Sequence, residues 1–256
     1  MKISKGFKFI LLAVCLFSGA YFGAVVFNED TEKLPPFLFP NPATNPTPPP
    51  PATQTNGSTS TPQTLPKTFL LKVPFTSQAP TANWDELHNE ACEEASAIMA
   101  YKYFDGDERA NLPAGEVEAE LAKLVEWEKN NLGYYLDINT EETVRMLKEH
   151  YKLNAKIVTD YSENSLKEEL VMGNVILWPA NGQMLGNPNF RAPGPPYHMV
   201  VVKGYDQGGF ITNDPGTRKG LNYPYSYNTL YAANGDFNHQ THSVDLNKKM
   251  VIVVWK

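Results

Sequence analysis

The sequence predicts an α+β domain in which a helical part comes first and a mainly antiparallel sheet second. Three observations lead there. Apolar residues recur at helical spacing between Ala91 and Met172. From Val175 onward, short apolar runs rich in valine and isoleucine are separated by turn signals. A proline-rich stretch with no charged residue, Leu34 to Pro66, sets this domain apart from what precedes it. Helices grouped before strands mark α+β rather than a strict alternation of the two.

The elements follow in order. Phe69 to Phe75 reads as a strand, ended by Pro74 and the polar pair Ser77-Gln78. Ala91 to Phe104 reads as a helix with Ala95, Ile98, Met99 and Tyr103 on one stripe, stopped by Asp105-Gly106-Asp107. Glu116 to Asn130 is a second helix, with Val117, Leu121, Leu124 and Val125 inward. Thr140 to Tyr151 is a third, capped by Asn139 or Thr140; counted from Thr140, the capping-box position holds Thr143 rather than an acid. Ser165 to Met172 is a fourth, stopped by Gly173. Strands are expected at Val175 to Trp178, His198 to Gly204, Gly209 to Thr212 and Met250 to Trp255.

The chain is organised in three parts: residues 1–33, 34–66 and 67–256. In the first, Lys2, Lys5 and Lys8 precede the uncharged stretch Phe9 to Phe27, and Glu29, Asp30 and Glu32 follow it. As a helix, those residues would span about 28 Å, close to a bilayer's hydrocarbon thickness. The lysines place the N-terminus in the cytoplasm and the rest outside. A cleaved signal peptide is the competing reading, with Ser18 and Ala20 forming a small-x-small site. A lipid-modified Cys15 is disfavoured by the bulky Val14 before it. All three readings export the chain. In the second part, eleven of the 21 prolines lie between Leu34 and Pro66, which is expected to be a disordered, partly polyproline spacer.

The third part carries 18 basic and 25 acidic residues, a net charge of −7. That balance excludes a nucleic-acid partner, which requires a basic face. Two cysteines in the whole chain exclude a disulfide-dense scaffold and an all-cysteine metal site.

Cys92 is the only cysteine of this part and sits at the first turn of a helix. A helix N-terminus carries partial positive charge, which lowers a thiol's pKa from about 8.5 and favours the nucleophilic thiolate. Gln78, 14 residues earlier, carries an amide able to donate to a developing oxyanion. His198, opening the run His198-Met199-Val200-Val201-Val202, is the candidate general base. Asn213 or Asp214, at the end of the next strand, is the candidate that orients the imidazole. If Tyr205 pairs with Phe210, Asn213 shares a face with His198 and Asp214 points away. A bulge at Gly208-Gly209 would bring Asp214 to the His198 face instead, so parity alone leaves both open.

These residues carry a resemblance. Val73-Pro74-Phe75-Thr76-Ser77-Gln78, Ala91-Cys92-Glu93-Glu94-Ala95-Ser96, Tyr197-His198-Met199-Val200-Val201-Val202 and Asn213-Asp214-Pro215-Gly216-Thr217 resemble the bacteriocin-leader-type peptidase-like family, a branch of the papain superfamily. The match runs from about Leu70 to Thr217. It implies a papain-like cysteine peptidase fold, with Cys92 as nucleophile, His198 as base, Asp214 as third member and Gln78 in the oxyanion hole. One departure stands out: many relatives carry glycine after the cysteine, whereas Glu93 and Glu94 follow here. Carboxylates disfavour a neighbouring thiolate, so both are expected to point away from the sulfur or to pair with a cation.

Further residues have side chains suited to a site. His88 is an alternative base. Asp236, His239 and His242 form a weak candidate metal cluster in a loop, and His150 a helix-end residue. Trp84 and Asp85 are placed to line a cleft, and the Gly/Pro-rich loop from Gly182 to Pro196 to cover it. Tyr223, Tyr225, Tyr227 and Tyr231 read as packing. The sequence thus points to an exported, membrane-tethered cysteine hydrolase acting on peptide or protein substrates, without cofactor or metal. The alternatives are a non-catalytic papain-like module that binds peptide or cell-wall material, and an amidase or transferase using the same thiol.

Overall fold

The computed structural model describes residues 64–256. The expected membrane segment and nearly all of the expected linker lie outside them. Among the described residues, no helix is long and apolar enough to cross a membrane.

In chain order the elements are β1 (Phe69–Leu70), α1 (Glu86–Asn89), α2 (Cys92–Phe104), α3 (Ala114–Asn131), α4 (Thr140–Glu149), β2 (Asn154–Val158), α5 (Glu163–Val171) and β3 (Val175–Ala180). There follow α6 (Gly182–Leu185), β4 (His198–Tyr205), β5 (Phe210–Asn213), β6 (Tyr223–Tyr225), α7 (Tyr227–Ala233), β7 (Asp236–Asn238), β8 (Ser243–Asp245) and β9 (Val251–Trp255). Helices dominate the first half and strands the second, as the hydrophobic pattern predicts.

One sheet runs in the order β2-β9-β3-β4-β5-β6, antiparallel throughout, and β1 pairs with β4. β7 and β8 form a separate hairpin. β4 is the central strand and is buried along its whole length, so its core, Met199 to Val202, is continuously apolar instead of alternating. β3 pairs with its residues 198–202, and β1 takes up the same edge at Gly204 and Tyr205. A side chain at Gly204 would place its Cβ within 2.4 Å of the Phe69 carbonyl oxygen, so β1 docks there only on glycine.

β1 is shorter than the sequence predicts. After Leu71, whose N–H still donates to Lys203 O at 2.8 Å, the ladder gives way to side-chain donors: Lys203 Nζ donates to Val73 O at 3.0 Å, and Asn213 Nδ2 to Val73 O at 3.1 Å and Pro74 O at 3.0 Å. Pro74 has no N–H to offer a strand, and beyond it Phe75 pairs elsewhere: its N–H donates to Ala110 O at 2.9 Å and its carbonyl accepts from Leu112 N–H at 2.8 Å.

α2 is buried on every side from Cys92 to Ala100. It lies against β4, where Ser96 Oγ donates to Met199 O at 3.4 Å. A helix surrounded in this way shows no amphipathic stripe and owes its stability to packing. α4 is capped by Asn139, and Glu142 closes a capping box, so the acid missing after Thr140 is present one residue earlier in phase. α5 is likewise boxed by Ser162 and Ser165.

Candidate active site

The site is built at the end of β4 where the strand begins. His198 is 1% exposed, and its Nε2 lies 2.8 Å from Asp214 Oδ1. The register of β4 and β5 explains how Asp214 arrives there. Tyr205 pairs with Phe210 and Gly204 with Ile211, but Val202 then pairs with Thr212 and Val201 with Asn213, leaving Lys203 as a bulge. Continued one step, that register sets Asp214 opposite Val200, in phase with His198. The extra residue is on β4, not in the turn at Gly208-Gly209 where the sequence suggested it. Asn213, one residue off, turns its amide to Val73 and Pro74 instead.

Asp214 is fully buried and accepts four hydrogen bonds. Oδ1 takes His198 and the backbone N–H of Gly216 at 3.0 Å; Oδ2 takes the Tyr225 hydroxyl at 2.7 Å and Asn187 Nδ2 at 2.9 Å. Burial raises a carboxyl's pKa, but here the His198 charge and these bonds outweigh it, and the pKa is lowered. Asn187 and Tyr225 escaped the sequence reading. Asn187 sits in the proline-rich loop and Tyr225 was one tyrosine of four; no local pattern announces their meeting.

Gly216 packs on the imidazole. A Cβ there would fall 2.8 Å from both His198 Cε1 and Phe190 Cε1. The Phe190 ring meets the His198 ring edge to face, with centroids 5.2 Å apart.

Gln78 lies between the segment before Cys92 and the segment after Asp214. Its backbone N–H donates to Pro215 O at 2.9 Å, and its Nε2 donates to His88 O and Asn89 O, both at 2.9 Å. Both amide hydrogens are therefore engaged, and Oε1 is buried with no partner among the described residues.

Cys92, three residues after Asn89, is 2% exposed at the N-terminus of α2. Its Sγ donates to Glu93 Oε2 at 3.1 Å. Burial first, and then the Glu93 charge, push the thiol well up, so the helix N-terminus does not lower it as the sequence suggested. The expectation that both acids avoid the sulfur is corrected as well. Glu94 does turn away, but Glu93 faces the thiol, because Ile138 N–H donates to Glu93 Oε1 at 2.8 Å and fixes the carboxyl. Ile138 O in turn accepts from the Tyr197 hydroxyl at 3.2 Å, which links Glu93 to the residue before His198.

A cleft of about 1050 Å³ has Gln78, Trp84, Phe190 and Gly216 among its lining; it adjoins His198 through Phe190 and Gly216, which pack on the ring, while Cys92 itself is not among the lining residues. The loop expected to border it does so from Pro188 to Pro196.

His88 is engaged elsewhere. Nδ1 meets Asp85 Oδ1 at 2.7 Å and Nε2 meets Glu118 Oε2 at 2.9 Å, so both ring nitrogens are held by carboxylates. Burial works against the charged ring, but the two carboxylates prevail and its pKa is raised. Asp236 accepts from Thr140 N and Oγ1, and His239 Nε2 meets Glu142 Oε2 at 2.8 Å, so these two pin the hairpin to α4. Among the described residues no group of three such side chains is arranged to hold a metal ion.

A search of curated proteins finds no match. Among solved structures, a chain from Bacillus anthracis described as a C39-like peptidase matches with a TM-score of 0.48 and 17% identity, covering 75% of this chain and 98% of the other. The profile of the Peptidase_C39 like family matches residues 70–241, well over half of the chain and spanning Gln78, Cys92, His198 and Asp214. The chain belongs to the Peptidase_C39 like family, a family of papain-like cysteine peptidases.

Proposed function

We propose that this protein is a cysteine hydrolase cleaving peptide bonds, held outside the cytoplasm by its N-terminal segment, or released there if the Ser18–Ala20 site is cut. The observation that carries the chemistry is the buried His198–Asp214 pair at 2.8 Å beside a large cleft. With Nε2 given to Asp214, Nδ1 is the nitrogen left to exchange a proton with Cys92. The export half rests on the lysines before Phe9 and the acids after Phe27.

In this reading, substrate binding brings the Cys92 proton to His198. The thiolate adds to the peptide carbonyl, and the oxyanion is met by the Cys92 backbone N–H and by a Gln78 amide hydrogen released from His88 O or Asn89 O. The C–N bond breaks, the imidazolium proton goes to the departing amine, and a thioester remains on Cys92. Water then adds to the thioester, giving its proton to His198. The acid leaves and the thiol is restored.

The test is hydrolysis of a peptide panel, with mass-spectrometric capture of an acyl adduct on Cys92. Cys92→Ala and His198→Ala are each expected to abolish both signals. Undiminished hydrolysis by Cys92→Ala would refute the assignment. The protonated, buried thiol favours one second reading, a papain-like module that binds peptide or cell-wall material without turnover. No hydrolysis and no adduct from the wild type, with retained peptide binding, would select it. An adduct formed from esters or side-chain amides but never from peptides would select an amidase or transferase.

A further inference from the structure

The chain has four arginines. The two away from the cleft are paired: Arg109 with Asp107 and Glu116, and Arg145 with Glu149. The other two, Arg191 and Arg218, line the cleft together with Lys219, and all three are exposed. Among the described residues none of these three is in an ion pair, within a domain that carries a net −7. Glu90 is the only acid of the lining. It stands against three cations.

Unpaired cations gathered at one concavity of an acidic domain create a local field of the opposite sign to the rest of the surface. We propose that the cleft selects acidic peptide segments, with Arg191, Arg218 and Lys219 receiving substrate carboxylates. This rests on reading the cleft as the hydrolase's substrate site.

The loops that carry the cations are conformationally restricted. Arg191 stands between Pro188 and Pro193. Arg218 and Lys219 sit in a turn closed by Gly220 N to Thr217 O and by Lys219 N to Thr217 Oγ1. The walls also offer Trp84, 41% exposed, and Phe190, which suit side chains and backbone of a peptide. A polyanion such as a nucleic acid would need a continuous basic track, and the domain's net charge opposes it.

The experiment uses the full chain carrying Cys92→Ala and three fluorescein-labelled alanine-based octapeptides that differ only in two positions: both Glu, both Gln or both Lys. Anisotropy should give a Kd about tenfold lower for the Glu peptide than for the Gln peptide at low salt, with the gap closing at high salt. Arg218→Glu with Lys219→Glu should invert the order of the Glu and Lys peptides. Equal Kd values for the three peptides would overturn the inference. So would sodium polyphosphate binding with no peptide preference, which would make the site a general polyanion site. The two readings separate cleanly. Hydrolysis of all three peptides at equal rates by the wild type overturns the acidic preference and leaves the hydrolase standing. A Glu preference in binding, with no peptide hydrolysed, does the reverse.

Discussion

The thiol of Cys92 donates to the carboxyl of its own neighbour Glu93, Sγ to Oε2 at 3.1 Å. The carboxyl is fixed by Ile138 N–H, so it cannot swing away without breaking a buried bond. A resting thiol that is protonated and sheltered in this way is slow to react until a substrate changes its surroundings. Glu93→Gln keeps an oxygen for Ile138 and turns an N–H donor toward the sulfur, which favours thiolate. Alkylation by iodoacetamide at pH 8 is expected to be about tenfold faster in the variant. Unchanged labelling across pH would show that Glu93 does not hold the thiol in its protonated form.

Gly216 packs on the imidazole of His198. Its absent side chain leaves room for the His198 and Phe190 rings, each of which a Cβ would approach to 2.8 Å. In Gly216→Ala the ring is forced off its line to Asp214, with an overpacking cost of about 1–3 kcal/mol. Peptide hydrolysis should fall at least about tenfold, mainly in kcat, while far-UV circular dichroism is retained. Wild-type kcat in that variant would mean that the imidazole can shift without loss.

Much of this site was readable in the sequence, and the rest was hidden for definite reasons. Cys92 and His198 stand out because each opens a strongly patterned element, a buried helix and a strand with the apolar run Met199 to Val202. The choice between Asn213 and Asp214 is not readable, because it turns on a bulge at Lys203, directly after the apolar run Met199 to Val202, that no local signal marks. Lys203 itself is 4% exposed, and burial lowers its pKa to about 8. Nothing local says that its amine caps the Val73 carbonyl. β2 was missed because Asn154 and Lys156 dilute a short edge strand. Asn187 and Tyr225 converge on Asp214 from 27 and 11 residues away, a distance over which no periodicity operates.

Tyr225 is the clearest of those hidden contributors. Its hydroxyl donates to Asp214 Oδ2 at 2.7 Å. Tyr225→Phe removes one bond to a buried charge, worth about 1.5–3 kcal/mol. The carboxyl's pKa, lowered in the native protein, should then rise. A lowered carboxyl contributes stability above its unfolded pKa of about 3.9 and loses it as pH falls through the folded value. The gap between wild type and variant in urea unfolding should therefore be full at pH 7 and shrink toward pH 3. The acid limb of activity should also move to higher pH. A gap of the same size at both pH values would point to lost packing rather than to the carboxyl.

Behind the thiol lies a second buried acid contact, between Glu94 on α2 and Glu128 on α3. Neither carboxyl has a donor elsewhere among the described residues, so they bond to each other only if one holds a proton. Burial first, and then the Glu94 charge, push Glu128 up to about 12. Its unfolded value is about 4.3, so between those limits folding takes up a proton. By linkage, this group's contribution to stability falls as pH rises through that window and is intact only below it. Glu128→Gln supplies an amide donor to Glu94 with no proton uptake by residue 128. The melting temperature should rise by about 2–4 °C at pH 8 and change little at pH 4. A variant less stable at pH 8 than the wild type would show that the shared proton holds α2 against α3 better than an amide does.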